Sequence, residues 1–308
     1  MKKIGVIANP NAGRKQAKSN VAELRYLLEP LGIELEVHYT EGKYHAEYLA
    51  TEMSFRVETI IVMGGDGTVN EVVNGLMKGN NGIPLAIFPM GTINDFATSQ
   101  QIPKETAAFA RMLANPHILN VDAGKAGEQY FLNVAAGGLL PELGHRVSAE
   151  AKTALGKFAY YMEGVREFPK QFFHPIPVEF HIQGRTIQKN ILFFLAANGI
   201  RIGGFRNLVP EAKINDGLLD LLIIESGEWQ DMVNMFLNLL RRQLEPDLEP
   251  AKGMYYYQVK EFQILSSEEV DVDVDGELAG RLPMTFTVIS KALKIIVPVT
   301  ENVRDGIV

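Results

Sequence analysis

The sequence contains no cysteine among its 308 residues, so disulfide bonds, thiolate catalysis and cysteine metal sites are excluded. It also lacks the roughly 18 to 20 consecutive apolar residues of a membrane-spanning helix, which limits membrane contact to the periphery. Basic residues are the minority, with 30 Lys and Arg against 37 Asp and Glu. The resulting net charge of −7 argues against a nucleic-acid partner.

The first residues form a short apolar run, at positions 4–8, that leads directly into Asn9-Pro10. This run is too short for the core of a signal peptide, so we expect a cytoplasmic protein whose chain starts on a core strand. A hydrophobic content of 46% and a charged content of 22% are those of a globular protein. The chain length favours about two domains.

Apolar strand patterns alternate with helical segments in the first 120 residues. The predicted strands are residues 4–8, 34–40, 60–64 and 83–89. Such alternation is typical of right-handed βαβ units and a parallel sheet. We therefore predict a parallel α/β domain over residues 1–123.

Strands dominate the second half of the sequence. They are predicted at residues 130–136, 178–182, 189–197, 218–225, 254–266 and 270–274. Two helices, at residues 152–168 and 229–242, interrupt this pattern. We predict a C-terminal β-sandwich domain over residues 124–296, and we expect residues 297–308 to return to the first domain.

One stretch joins a β-branched run to a helical pattern through three glycines, as Gly64-Gly65-Asp66-Gly67-Thr68. Glycine permits the tight turn and lets backbone N–H groups approach a phosphate, and Thr68 is predicted to open the helix. The same run is also ordinary turn chemistry, so its neighbours must decide between the two interpretations. A second glycine turn, at residues 89–97, follows the next strand and opens at the same edge of the sheet.

The sequence has neither a Walker-type P-loop nor the protein-kinase signatures, so its phosphate cradle is of another kind. Its motifs resemble the diacylglycerol kinase catalytic-domain family, and bacterial soluble lipid kinases in particular. The matching segments, in the family's order, are residues 9–13, 64–71, 91–97, 203–205, 210–213, 215–220 and 275–277. The resemblance implies a nucleotide on the first domain, a β-rich second domain and catalysis in the cleft between them.

The resemblance also implies the donor site. The residues expected to contact ATP are Asn9, Gly64, Gly65, Gly67, Thr68 and Thr92. Asp66 would lie near the phosphates and Mg²⁺, because a carboxylate beside a polyphosphate requires a cation. A carboxylate that caps the following helix is the alternative for Asp66. For Asn94 and Asp95, nucleotide contact and helix capping both stay open.

On the acceptor side, the resemblance makes Glu277 the general base that takes the proton from the substrate hydroxyl. Asp216 would hold a structural Mg²⁺ with the main-chain oxygens of Lys213 and Leu218, and would orient the catalytic carboxylate. Asp66, Asp216 and Glu277 thus form the predicted catalytic set. A simple turn is the alternative for Asp216, and an ordinary surface glutamate is the alternative for Glu277. We expect Asp271 and Asp273 to form a solvated face.

The sequence therefore predicts an ATP- and Mg²⁺-dependent lipid kinase, with diacylglycerol as the first acceptor and phosphatidic acid as its product. A kinase of the NAD kinase type, which also uses a Gly-Gly-Asp-Gly loop, and a non-catalytic nucleotide- or lipid-binding regulator are the alternatives. A lipid with a free hydroxyl and a peripheral membrane surface are the expected partners, and a homodimer is left open. Helix 152–168 either rests on an anionic bilayer or packs on the second domain. The candidates for a basic rim are Arg14, Lys15, Arg201 and Arg206.

Overall fold

The structure, a computed structural model, describes residues 2–138, 175–206, 209, 211–228, 231, 238 and 251–299. The predicted helix 152–168 lies outside these residues, as does the predicted helix 229–242 except for two positions. Within the described ranges, no helix has the length and apolar character that crossing a membrane requires.

Four parallel strands with helices between them form the first part of the chain. Its strands are β1 (Lys2–Ala8), β2 (Ile33–Tyr39), β3 (Thr59–Gly64) and β4 (Leu85–Pro89). Its helices are α1 (Ala17–Leu28), α2 (His45–Met53), α3 (Asp66–Gly79), α4 (Asp95–Ser99) and α5 (Thr106–Ala114), with short 3-10 turns at Gly13–Lys15 and Glu29–Leu31. The strand order is β2-β1-β3-β4, so the predicted parallel units are confirmed.

The start of α3 differs from the prediction. The helix begins at Asp66 with Gly65 as its N-cap, so Thr68 lies inside the first turn and does not open the helix. Helical geometry therefore starts directly at the glycine loop. The first amides of α3 lie next to the end of β3, where an anion would meet the positive end of the helix dipole.

Antiparallel strands make up most of the remaining described chain. They are β5 (His117–Ala126), β6 (Gln129–Phe131), β7 (Val134–Gly138), β8 (Ile176–Ile182), β9 (Arg185–Ala197), β10 (Arg201–Ile202), β11 (Phe205–Arg206), β12 (Leu219–Glu225), β13 (Met254–Val259), β14 (Glu261–Ser266), β15 (Asp271–Val274), β16 (Glu277–Arg281) and β17 (Met284–Val297). The predicted single strand 254–266 is wrong, because it is two strands with different neighbours. β13 pairs with β12, whereas β14 pairs with β8 and β17.

The long strand β17 connects the two parts of the fold. It pairs antiparallel with β14 and β5, and its residues Ile295 and Ile296 pair parallel with β4. In the described part of the chain, fifteen strands therefore form one continuous sheet. β5 spans the predicted domain boundary at residues 123 and 124, which stays a prediction. Residues 300–308 lie outside the described ranges, so the return of residues 297–308 also stays a prediction.

Two main apolar clusters fill the interior. Under the helices, Phe88 and Phe109 meet edge to face with ring centroids 4.9 Å apart. In the antiparallel part, Phe262 and Phe286 stack at 4.7 Å. Each buried ring of this kind contributes about 1.5 to 3 kcal/mol through its removal from water, so these cores stabilise the sheet from which the loops emerge.

Strand β15 shows one further departure from the sequence prediction. Asp271 is exposed as expected, but Asp273 is buried, so the predicted solvated face is wrong at this position. β15 is an inner strand with β7 and β16 on its two sides, and its last three residues are all buried, so the alternation of exposed and buried positions stops after Asp271.

Candidate active site

Two glycine loops meet where the parallel strands β3 and β4 end. The first glycine loop is residues 64–68 and the second glycine loop is residues 90–95. Met90 N donates to Gly64 O at 2.8 Å. A Cβ on Gly91 would lie only 2.7 Å from Gly65 Cα, so the two backbones approach more closely than side chains would permit.

Asp66 anchors the second loop to the first. Its Oδ2 accepts the N–H of Asn94 and its Oδ1 accepts the N–H of Asp95, each at 2.9 Å. The carboxylate therefore caps the start of α4, and not the helix α3 that follows it in the chain. An open cleft, described below, lies beside the two loops, and Asp66 is not among the described residues that line it. Its contact with Mg²⁺ stays a prediction.

The side chains of Asn94 and Asp95 also point into the protein. Asn94 is buried and has a φ of +51°. Its Oδ1 accepts the N–H of Gly91 at 2.8 Å, and its Nδ2 donates to the C=O of Gly91 at 2.6 Å. Asp95 is buried and accepts the N–H of Gly204 at 2.9 Å. Their contact with nucleotide stays a prediction, since neither lines the cleft.

Arg201 lies 3.4 Å from Asp95, measured from Nε to Oδ1. Its side chain is only 20% exposed. The prediction that Arg201 belongs to an open basic rim is therefore wrong. Arg14 and Lys15 are exposed as expected, and the side chain of Arg206 lies outside the described part of the structure.

Burial, and then the charge of Asp66, raises the pKa of Asp95 to about 6. The second glycine loop is thus tied to the turn at residues 203–204.

An open cleft of about 910 Å³ lies beside the two loops. The predicted nucleotide contacts that line it are Asn9, Gly65, Gly67, Thr68 and Thr92. Asn9 Nδ2 donates to Thr68 Oγ1 at 3.2 Å, which connects the loop after β1 to the start of α3. The structure therefore brings together the ends of three parallel strands, as the sequence pattern indicated.

Glu277, at the start of β16, reaches this cleft from the antiparallel part. Its Oε1 lies 3.2 Å from the position that a Cβ on Gly67 would occupy. Its Oε2 lies 2.8 Å from Lys43 Nζ. Glu277 and Lys43 both line the cleft, and the sequence analysis did not single out Lys43. Lys43 lies in the turn after β2, at the same sheet edge as the glycine loops, and this position in the sequence could have identified it as a site residue.

Asp275 holds the turn that carries Glu277. Its carboxylate accepts the N–H groups of Leu132, Asn133 and Val134 at 2.8 to 3.0 Å and the side-chain amide of Asn70 at 3.1 Å. Burial raises the pKa of Asp275, and these hydrogen bonds oppose that shift. In the sequence, Asp275 was assigned only to the family-matching segment 275–277, with no role of its own. Its φ of +49° shows why the chain reverses there.

The predicted metal turn at residues 213–218 is held by Asp122, which the sequence analysis missed. Asp122 is fully buried and accepts the N–H groups of Gly217 and Lys291, each at 2.6 Å. A lone aspartate within an apolar strand was the available signal. Asp216 itself is exposed and accepts the N–H of Leu218 at 3.0 Å, which is the geometry of a simple turn.

Asp216, Lys213 and Leu218 do not line the cleft with Glu277. Across the described ranges, no group of three or more His, Asp or Glu side chains is arranged to hold a metal ion. Of the predicted catalytic set, Glu277 alone is among the described residues that line the cleft, since Asp216 lies elsewhere and Asp66 lies behind the loop that Glu277 faces. The metal roles of Asp66, Lys213, Asp216 and Leu218 stay predictions.

Comparisons with known proteins agree with this architecture. Residues 3–126 match the diacylglycerol kinase catalytic domain, and residues 142–297 match the YegS C-terminal NAD kinase beta sandwich-like domain. A diacylglycerol kinase of Bacillus subtilis is 34% identical over 97% of both chains. One from Staphylococcus carnosus is 30% identical over 96% of this chain and 95% of its own. The crystal structure of a diacylglycerol kinase from Bacillus anthracis, 28% identical, has a TM-score of 0.79 and covers 96% of this chain and 97% of its own.

The chain therefore belongs to the diacylglycerol kinase catalytic-domain family, and it is a lipid kinase. This result confirms the predicted fold class, an N-terminal α/β domain followed by a C-terminal β-sandwich domain. It also confirms the family resemblance that the glycine motifs indicated.

Proposed function

We propose that the protein transfers the γ-phosphoryl group of ATP, in the presence of Mg²⁺, to the hydroxyl group of diacylglycerol and so forms phosphatidic acid. The observation that carries this proposal is the position of Glu277. A carboxylate from the antiparallel part of the fold lies beside Gly67, in the loop that would cradle the phosphates. The names of the relatives support diacylglycerol as the acceptor.

The donor phosphates would bind at the first glycine loop. The amides at the start of α3, a helix of 14 residues, lie at the end of β3, and Gly67 and Thr68 of this first turn line the cleft. Asn9 and Thr68 form the adjacent wall, and Gly65 and Gly91 keep it free of side chains. Such a cradle positions the phosphates without covalent chemistry, which is the main requirement of phosphoryl transfer.

Glu277 would act as the general base. In the reaction, the lipid hydroxyl oxygen bonds to the γ-phosphorus, the bond from that phosphorus to the bridging oxygen breaks, and ADP leaves. The hydroxyl proton passes to a carboxylate oxygen of Glu277. Asp275 accepts four hydrogen bonds from neighbouring chain segments and so fixes the turn from which Glu277 extends.

The donor set of the cleft fits a magnesium ion that arrives on the nucleotide, because Mg²⁺ in such sites uses one or two protein carboxylates together with phosphate oxygens. Besides the proposed base Glu277, Glu71 is the carboxylate among the described residues of the cleft wall. When bound, Mg²⁺ would neutralise charge on the phosphates. A second, structural Mg²⁺ would bind at the turn of residues 213–218, where the exposed Asp216 and the main-chain oxygens of Lys213 and Leu218 would serve as ligands.

The test is a kinase assay with radiolabelled ATP, Mg²⁺ and detergent micelles that contain one lipid each. Diacylglycerol is expected to give labelled phosphatidic acid, whereas phosphatidylglycerol, sphingoid bases and polyprenols are the competing acceptors. NAD, added without lipid, tests the NAD kinase alternative directly. Labelling of NAD, or of another lipid in preference to diacylglycerol, would reject the proposed acceptor. Vesicle sedimentation with the same lipids would test the peripheral membrane contact that a water-insoluble acceptor requires.

The role of Glu277 is tested by Glu277→Gln, which keeps the shape of the side chain and removes its charge. We expect kcat to fall by about 10² to 10⁴-fold, as for loss of a general base, with little change in the thermal midpoint. Glu269→Gln is the matched control, because Glu269 is an exposed glutamate that forms an ion pair 2.7 Å from Arg281 outside the cleft. Equal activity of Glu277→Gln and the control would remove the proposed base.

A further inference from the structure

Lys43 and Glu277 form an ion pair across the mouth of the cleft. Lys43 lies in the turn between β2 and α2, whereas Glu277 begins β16, so the pair joins the two parts of the fold. The Nζ to Oε2 distance is 2.8 Å, and the two side chains are 54% and 43% exposed. The hydrogen bond from Lys43 to Glu277, and then the charge of Glu277, raises the pKa of Lys43.

The pair faces the loop that would bind phosphate. Both residues line the same cleft as Gly65, Gly67 and Thr68. Arg14 and Lys43 are the cationic side chains among the described residues of the cleft wall. A polyphosphate in this cradle would therefore bring several negative charges next to Lys43, and it would also approach the carboxylate that Lys43 now neutralises.

Lys43 has two possible partners, the carboxylate of Glu277 and a nucleotide phosphate, and the two would bind it with unequal strength. An exposed ion pair is weak because water screens it and two long side chains must be ordered. A phosphate chain carries more charge and more acceptor oxygens than one carboxylate, and lysine ammonium is a common phosphate ligand. The flexible stem of Lys43 allows the ammonium group to change partners without any movement of the backbone.

We propose that Lys43 is a switch residue whose partner is Glu277 in the empty cleft and the nucleotide phosphate in the filled cleft. Nucleotide binding draws the ammonium group away, and the carboxylate of Glu277 is then free to accept the hydroxyl proton. Arrival of the donor is in this way coupled to release of the base. This inference rests on the proposed function, because it requires ATP in the cleft and Glu277 as the base.

A static pair is the competing arrangement, in which Lys43 stays on Glu277 throughout. The two arrangements differ in where the Lys43 ammonium group lies once nucleotide is bound, beside a phosphate in the switch and beside Glu277 in the static pair. In either arrangement, Glu277→Gln removes repulsion and frees Lys43 beforehand, so it tightens nucleotide binding more when Lys43 is present than when it is absent. This excess gain tests whether Lys43 can reach both partners, and the position of its Nζ in the nucleotide complex decides between the two arrangements.

The experiment is calorimetric titration of the full chain with a non-hydrolysable ATP analogue and Mg²⁺, without lipid. The four proteins are the wild type, Lys43→Met, Glu277→Gln and the double variant. We expect the gain in affinity from Glu277→Gln to be about threefold larger when Lys43 is present than in the Lys43→Met background, as the loss of one exposed ion pair implies. An equal or smaller gain in the presence of Lys43 overturns the inference. A crystal structure of the complex with the same analogue is expected to place Lys43 Nζ on a phosphate oxygen, and an ammonium group still paired with Glu277 there would also overturn it.

Controls separate this inference from the proposed function and from misfolding. Lys43→Arg keeps the cation and is expected to retain the excess gain. Lys78→Met removes a similarly exposed lysine, paired with Glu47 at 2.5 Å outside the cleft, and is expected to leave affinity unchanged. A wild type that binds no nucleotide rejects both the function and the inference. A wild type that phosphorylates lipid but lacks the expected coupling rejects the inference alone.

Discussion

The second glycine loop and the mouth of the cleft both contain charged groups at the same sheet edge, but the groups are held in different ways. At the second loop, the partly buried carboxylate of Asp66, from the first loop, accepts the N–H groups of Asn94 and Asp95, and the buried carboxylate of Asp95 accepts the N–H of Gly204. At the mouth, Glu277 is held by one exposed lysine. Buried carboxylates with several backbone partners fix geometry, whereas an exposed ion pair is weak and can exchange.

In the proposed reaction, this difference would separate a rigid cradle for the donor from a movable reacting carboxylate. Asp66 and Asp275 face the same enclosed cavity of about 10 Å³ behind the loops, and Asn94 and Asn133 complete its polar lining. The loops are therefore supported from behind by groups that do not line the cleft. Substitutions in this support should act mainly on stability, and substitutions at the mouth should act mainly on activity.

The largest effect is expected for Asp275→Ala. The substitution leaves three backbone N–H groups and the amide of Asn70 without their shared acceptor. We expect the free energy of unfolding to fall by about 3 to 5 kcal/mol, because buried donors would lose a charged partner. Urea denaturation measures this loss. Asp271→Ala, on the exposed side of β15, is the control and should leave the denaturation midpoint nearly unchanged; a similar midpoint for both variants would contradict the supporting role of Asp275.

The next effect is a pH dependence at Asp95, whose pKa is raised from 3.8 to about 6. Between these values the unfolded chain has lost the proton and the folded chain still holds it. The contribution of Asp95 to stability is thus fully present below about pH 4 and is lost as the pH rises through about 6. The shift corresponds to at most about 3 kcal/mol.

Asp95→Asn removes this titration and serves as the reference. The difference in unfolding free energy, wild type minus Asp95→Asn, is expected to decrease as the pH rises from about 4 to about 6.5. Urea denaturation at a series of pH values provides the measurement. A difference that stays constant or increases with pH would show that burial does not raise the pKa of Asp95 in the folded chain.

The sequence predicted the parallel part of the fold and the first glycine loop well, because apolar periodicity and glycine turns are local signals. The roles of Asp66, Asp122 and Asp275 could not be read in the same way. Each carboxylate accepts N–H groups from segments that are distant in the chain, such as Asp275 with residues 132–134. Which segments meet is decided by strand order, and the sequence analysis did not predict the continuous sheet through β17.

A substitution within the rigid cradle, Gly91→Ala, should lower both stability and activity. Its Cβ would lie 2.7 Å from the Cα of Gly65, and a backbone atom cannot move aside as a side chain can. We expect a loss of about 1 to 3 kcal/mol in the free energy of unfolding, the range for overpacking. Denaturant titration would record it. An unchanged unfolding midpoint would mean that the two loops can separate freely.

Gly67→Ala is expected to have the smallest effect on stability and therefore gives the sharpest contrast. The new Cβ would meet only the flexible end of Glu277, 3.2 Å away, and alanine in the first turn of α3 should change stability by less than about 1 kcal/mol. The carboxylate must nevertheless shift by a few tenths of an ångström. We expect kcat for lipid phosphorylation to fall by about threefold to tenfold, because catalysis is sensitive to small misplacements of a reacting group. An unchanged kcat in a stable variant would mean that the base is not positioned at Gly67, and the distinction between a fixed cradle and a movable carboxylate would then have to be drawn elsewhere in the cleft.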